Sequence, residues 1–268
     1  LIQAVYAVRL IQDCLDESRP IQKYGSTAAG RYLQSSPEEG YFYPISRMLE
    51  HLGNYCDEGE DGICRSVLDV ELYQLKIQIE IDGFDIWRRV LVPSTFSFRH
   101  LHNAIQIVFD WQNYHLHMFE AKKVDAKTKQ IVMDDDPETL QWLDIESYDI
   151  LQERFTALKD ILPDHEDVVY EYNFGDSWKH SIALEKIARS NALKATYLGG
   201  RGKRPPEDVG GPWGYMEFMR IMANRRDPEH ERMRMWAQGQ AEREHSPEQI
   251  NHRLRHCMST GEYSPSWK

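Results

Sequence analysis

An α+β fold is what the order of elements in this sequence predicts, and three patterns predict it. Tyr73, Leu75, Ile77, Ile79 and Ile81 alternate with polar residues over nine positions, the signature of a half-buried strand. A second alternating pair of runs flanks Gly175-Asp176-Ser177, which reads as a hairpin. Helical spacing is confined to the N-terminal stretch, one segment after the second strand, and the C-terminal stretch.

In chain order, Leu1, Val5, Val8 and Ile11 recur at helical spacing until Pro20, Gly25 and Gly30 interrupt them. A second helix is predicted over 37–52, and 53–62 reads as an acidic, Gly-flanked loop. Residues 1–68 are therefore expected to form an N-terminal helical segment with few pairings to the main sheet. The strand at Tyr73 follows, Asp82-Gly83 turns the chain, and Ile86–Val92 returns as a partner strand ending at Pro93. A helix carrying Phe98, Leu101, Ala104, Ile105 and Val108 comes next, then a strand over His115–Glu120. The stretch 134–176 holds 14 acidic residues against Arg154 and Lys159 and reads as a solvated connection, with a short helix near Thr156–Leu162. Val168, Tyr170, Tyr172 and Phe174 alternate into the hairpin, and Trp178, His180, Ile182 and Leu184 alternate out of it. Residues 199–212, with five Gly and three Pro, read as loop. Helices are predicted near 215–224, 228–237 and 247–258, with Pro228 and Pro247 suited to their first turns.

Composition narrows the function classes. A chain of 268 residues with 32 Lys+Arg, 43 Asp+Glu and a net charge of −11 repels bulk nucleic acid and anionic membranes unless its bases cluster. Arg220, Arg225, Arg226, Arg232 and Arg234 do cluster, but Asp227, Glu229 and Glu231 are interleaved with them, so a salt-bridged helical surface is expected. No apolar run approaches the ~20 residues that span a bilayer. Leu1–Leu15 carries Gln3, Arg9, Gln12 and Asp13 and reads as an amphipathic helix rather than a signal peptide. Cys14, Cys56, Cys64 and Cys257 form no CxxC pair, which points to free thiols and a cytoplasmic setting. GxGxxG, GxxxxGK[ST], HExxH and GxSxG are all missing from the sequence.

Three segments concentrate reactive side chains. On a strand, His115 and His117 of Trp111–Phe119 would share one face, and two imidazoles so placed can converge on a metal ion or transfer a proton. The same pair can equally be hydrogen-bonded members of the sheet. In Tyr170–His180, Asp176 can cap the turn or orient His180, as in general-base pairs and around metal sites. In Arg204–Tyr215, Pro205-Pro206 stiffens the chain, Glu207 and Asp208 present adjacent carboxylates, and Gly210-Gly211 permits a sharp turn. All three are expected to meet at one cleft, with His115, His117 and His180 as candidate metal ligands. His117, Asp176, His180, Glu207 and Asp208 are the candidate catalytic groups, and a divalent transition metal the candidate cofactor.

These segments, with Tyr73–Ile79 and the IWRRVLVP of Ile86–Pro93 before them, resemble the plasmid pRiA4b ORF-three-like family over roughly 70–260. The resemblance implies an α+β domain over 69–268 with a mixed, largely antiparallel sheet, packed helices and a helical part at 212–258. It implies little about activity; members are often labelled passenger proteins of insertion elements, and the net acidity and the missing catalytic signatures lead to the expectation of an accessory role on a mobile element or in a defence-related locus. Relatives often carry cysteines around the Pro-Pro-Glu-Asp run, where this chain has Arg204 and Val209, so no thiolate metal site is expected there. The sequence shows no recombinase signature to support the resolvase-type name some relatives carry. The leading expectation is thus a binding module that contacts a protein or small ligand, and the alternative is a metal-dependent hydrolase of phosphate esters or nucleic acid.

Overall fold

The structure, a computed structural model, describes residues 56–58, 64–66, 70–133, 144, 146–165, 167–190, 194–240, 242–243 and 245–260. The helices expected over 1–15 and 37–52 lie outside them, and so does most of what bears on the division at residue 68. Within 1–68, β1 (Cys56–Glu58) pairs antiparallel with β2 (Cys64–Ser66), so part of the stretch read as loop is a two-stranded ribbon. Its register sets Cys56 against Ser66, Asp57 against Arg65 and Glu58 against Cys64.

The main sheet has eight strands in the order β10-β4-β3-β9-β8-β5-β6-β7. They are β3 (Val70–Ile79), β4 (Trp87–Pro93), β5 (His117–Lys122), β6 (Lys129–Val132), β7 (Asp149–Gln152), β8 (Asp167–Tyr172), β9 (Trp178–Ser190) and β10 (Thr196–Arg201). Only β6 and β7 run parallel, so the sheet is mixed and largely antiparallel. The alternation in β3 does what period two requires: Tyr73, Leu75, Ile77 and Ile79 are buried, Ile81 is buried just beyond the strand, and Tyr73 to Gln78 pair with Val92 to Trp87.

Among the described residues four helices accompany the sheet: α1 (Phe98–Phe109), α2 (Gly211–Ala223), α3 (His230–Gln240) and α4 (Pro247–Thr260). Ser97 caps α1, its hydroxyl and amide both meeting His100 Nδ1, and Asp110 ends it in the left-handed region at φ 56°. The helix is buried on nearly every side, with the polar His102, Asn103 and Gln106 among its buried residues, and it packs against α4. Where α1 stops, Arg204 donates to the Phe109 and Asp110 carbonyls, and Asp110 in turn receives Arg243 and Arg253. This charged knot ties the C-terminal segment to the end of α1. The arginines of the C-terminal surface pair as the sequence predicts: Arg220 with Glu217 and Asp227, Arg232 with Glu229, Arg234 with Glu231.

Three strands depart from the expectation. β6 and β7 are four residues each and are set among acids and turns, too short to show a period. β10 is an edge strand whose Gly199-Gly200 reads as loop. Gly200 is required because Arg88, Trp87 and Tyr197 crowd the place of a Cβ. The short helix near 156–162 is a single tight turn over Leu158–Asp160. At the start of α2, a Cβ on Gly214 would overlap the Val209 carbonyl oxygen. Gly214→Ala is therefore expected to destabilise the fold by at least about 2 kcal/mol, seen as a lower urea midpoint with unchanged slope. A midpoint equal to wild type would show that the loop before α2 can shift freely.

Candidate functional site

The loop before α2 brings together the acids of the second and third segments. Its chain direction is set by Arg204, a buried guanidinium that also donates to the Pro205 and Gln240 carbonyls and lies 4.5 Å from the Trp111 ring centroid. Arg204 thus anchors Pro205-Pro206 against the segment leading into β5. Glu207 follows, fully buried, its amide bonded to Gln240 and its Oε1 accepting from the Gln112 amide at 2.7 Å. Its Oε2 is buried with no hydrogen-bond partner. Burial raises the Glu207 carboxyl to about 7; Asp208 and Asp176 push the same way, while Arg204 and the Gln112 amide oppose.

Asp208 sits at φ 56°, a conformation Asp tolerates better than most residues. It turns its carboxylate outward, where the Tyr114 hydroxyl donates to Oδ2 at 3.2 Å. His115 Nε2 lies 2.9 Å from Oδ1, an ion-pair distance that misses hydrogen-bond alignment. Tyr172 of β8 completes the wall by accepting from the Tyr114 amide. The β8–β9 turn closes the other side. Asn173, at φ 59°, accepts from the Gly175 and Asp176 amides, an Asx turn that presents Asp176. Asp176 Oδ2 accepts from the Gly210 amide at 3.3 Å. Gly211, at φ 69°, abuts the Asp176 carbonyl so closely that any Cβ would overlap it.

Four of the six candidates, His115, Asp176, Glu207 and Asp208, therefore meet. His117 and His180 do not join them. His115 lies two residues before β5 begins, so the strand parity that would align it with His117 does not reach it. His117 turns into the core, where its Nε2–H donates to Glu153 Oε2 at 2.8 Å and its ring stacks on His102 at 3.5 Å. His180 holds its proton on Nδ1 against the Trp178 carbonyl and accepts from the Trp111 indole at Nε2, 3.2 Å away. Among the described residues no group of three or more His, Cys, Asp or Glu is arranged to hold a metal. The expected trio of His115, His117 and His180 is thus corrected: each imidazole has a different set of neighbours.

The sequence reading also passed over residues that matter. Tyr114 and Tyr172 wall the carboxylates, and Glu153, counted as a solvated acid, is fully buried between His117 and Arg99. A buried chain runs from Gln106 to the Tyr170 hydroxyl, to His102 and on to Asn113. No helix of the described residues is long and apolar enough to cross a membrane. Cys257 is a buried thiol outside any disulfide, and burial pushes it up to about 12.

With this geometry in place, the chain can be set beside known proteins. The model for the plasmid pRiA4b ORF-3-like proteins matches residues 71–253. The chain belongs to that family. An uncharacterised family-type protein, y4hQ of Sinorhizobium fredii, is 33% identical over 161 residues, 59% of this chain and 76% of that one. The crystal structure of MM3350, a protein of unknown function from Methanosarcina mazei Go1, is similar at a TM-score of 0.54 and 32% identity. That likeness covers 62% of this chain and 89% of MM3350. In this member of the pRiA4b ORF-3-like family, the carboxylate cluster lies wholly within the matched span.

Proposed function

We propose that this protein is a binding module whose carboxylate cluster receives a cationic group, a lysine or arginine side chain of a protein partner. The observation that carries this reading is Glu207 Oε2, a buried carboxylate oxygen without a hydrogen-bond partner, near enough to Asp208 and Asp176 for their charges to act on it. A buried acceptor left unpaired costs about 1–3 kcal/mol, and an ammonium or guanidinium donor removes that cost. One aromatic side chain suited to the rest of such a residue touches the acids, and another is exposed on the helix that follows them. Tyr114 is 53% exposed and bonded to Asp208, and Trp213 in the first turn of α2 is 82% exposed. Both can stack on a guanidinium. An accessory part in a mobile-element or defence-related locus is a setting in which such a module would act. A hydrolase built on His117 and His180 has no comparable support, since both are occupied within the core.

The test is calorimetric titration with a capped pentapeptide carrying two arginines and with its norleucine counterpart. The arginine peptide is expected to bind at low salt, and Asp176→Asn combined with Asp208→Asn to weaken it at least tenfold, about 1.4 kcal/mol. Equal binding of the two peptides, or binding unchanged in the double variant, overturns the reading.

A further inference from the structure

We infer that the cationic group is supplied by a second copy of this chain, which docks antiparallel along the exposed side of α2. The inference rests on the reading of the carboxylate cluster given above and names its partner. Three features of α2 point to self-association. Its outer side carries Trp213, Met216 and Met219, exposed at 82%, 39% and 38%, at helical spacing. Apolar side chains grouped like this on a surface mark contact sites, and methionine adapts readily to a partner.

The ends of the helix carry opposite charge. Asp208 and Asp176 stand at its N-terminal end, while Arg225 and Arg226 are exposed in the turn beyond its C-terminal end. The arrangement is also symmetric about Glu217: Asp208 is nine residues before it (217 − 208) and Arg226 nine after (226 − 217). These offsets are counted along the sequence, since Asp208 and Arg226 lie in the turns outside α2; in the pair as inferred, a two-fold axis near Glu217 brings the acidic end of one copy to the basic end of the other, twice, with Met216 and Met219 at the centre. A self-complementary patch of this kind forms a closed, isologous pair. Arg220 is already taken up by Glu217 and Asp227 on its own chain, which leaves the charges at the two ends to fix the direction.

The full chain should be run by size-exclusion chromatography with light scattering over a hundredfold range of concentration. The expected mass rises toward twice 31.5 kDa with concentration and falls back as salt is added. Arg225→Glu with Arg226→Glu, and separately Met216→Glu with Met219→Glu, should each weaken the pair at least tenfold. All four side chains sit outside the core, and circular dichroism checks that the variants fold. A chain that stays at 31.5 kDa throughout, or a dimer that survives both double variants, overturns the inference. The diarginine peptide separates the two ideas. If the chain is monomeric yet binds the peptide, the second copy is wrong and the cation site stands. If it is monomeric and binds no peptide, both fall. A dimer that the peptide dissociates supports both.

Discussion

Replacing Glu207 with Gln is expected to raise stability at pH 8 by about 2–3 kcal/mol and to leave it nearly unchanged at pH 4.5. The folded carboxyl titrates near 7 because burial penalises its charge, whereas an unfolded Glu titrates near 4.5. A raised carboxyl favours the protonated folded form, so its cost is absent below about 4.5, grows as the pH climbs to 7, and is complete above it. The interval of about 2.5 units at 1.36 kcal/mol each sets an upper bound near 3 kcal/mol. Glutamine keeps an oxygen to accept from the Gln112 amide, so the local fold survives the change. The same variant should lose affinity for the diarginine peptide, because the buried negative charge is what the cation meets. Paired thermal melts at pH 5 and pH 8 are the measurement. A stabilisation that is the same at both values would mean that Glu207 is not held ionised against its burial.

How much of this was legible in the sequence depends on what each element needed from its neighbours. β3 and the β8–β9 hairpin were legible because a sheet covered on one face writes period two into the residues themselves. The start of α4 was marked by Pro247, whereas Pro228, expected in the first turn of its helix, lies in the turn two residues before α3 begins. α2 starts four residues before the expected Tyr215, because the left-handed Gly210 before it and Gly211 at its first position turn the chain into the helix there. β10 was hidden, since Gly199-Gly200 reads as loop until Arg88 is seen to occupy the space a side chain would need. The carboxylates Glu207 and Asp208 were legible as an adjacent pair on a stiff loop, and Asp176 as a turn residue. What separated His115 from His117 was where β5 begins, and pairing with β8 decides that: His117 is the first residue with a partner, Tyr172. Glu153 gave no sign either. Its burial is imposed by His117 and Arg99, which are distant in sequence, while its neighbour Phe155 is 70% exposed.

Acidification from pH 7 to 5 is expected to remove several kcal/mol of stability, a large part of what a domain of this kind has. Three core histidines are neutral in the fold. Burial lowers His117 to about 3 and His180 to about 4, and it lowers His102 well below the usual range. Arg99 shares the Glu153 carboxylate with His117 and so resists a second positive charge beside it. An unfolded histidine titrates near 6.5, so between 6.5 and the folded value the unfolded chain binds more protons and stability drops as the pH drops. At pH 5 that is about 2 kcal/mol each for His117 and His180, with His102 adding in the same direction. Glu207 works against this and returns about 2 kcal/mol over the same interval, because its raised carboxyl takes up a proton in the fold first. Two results should follow from urea titrations at pH 5, 6 and 7. The unfolding free energy should fall with acid, and Glu207→Gln should make the fall steeper by removing the counterweight. His180→Gln should make it shallower, by about 2 kcal/mol in total between pH 7 and pH 5, nearly all of it below pH 6.5. A curve that stays level from pH 7 to 5, with the three imidazoles titrating near 6.5 by NMR, would mean that they are hydrated rather than sealed between the sheet and α1.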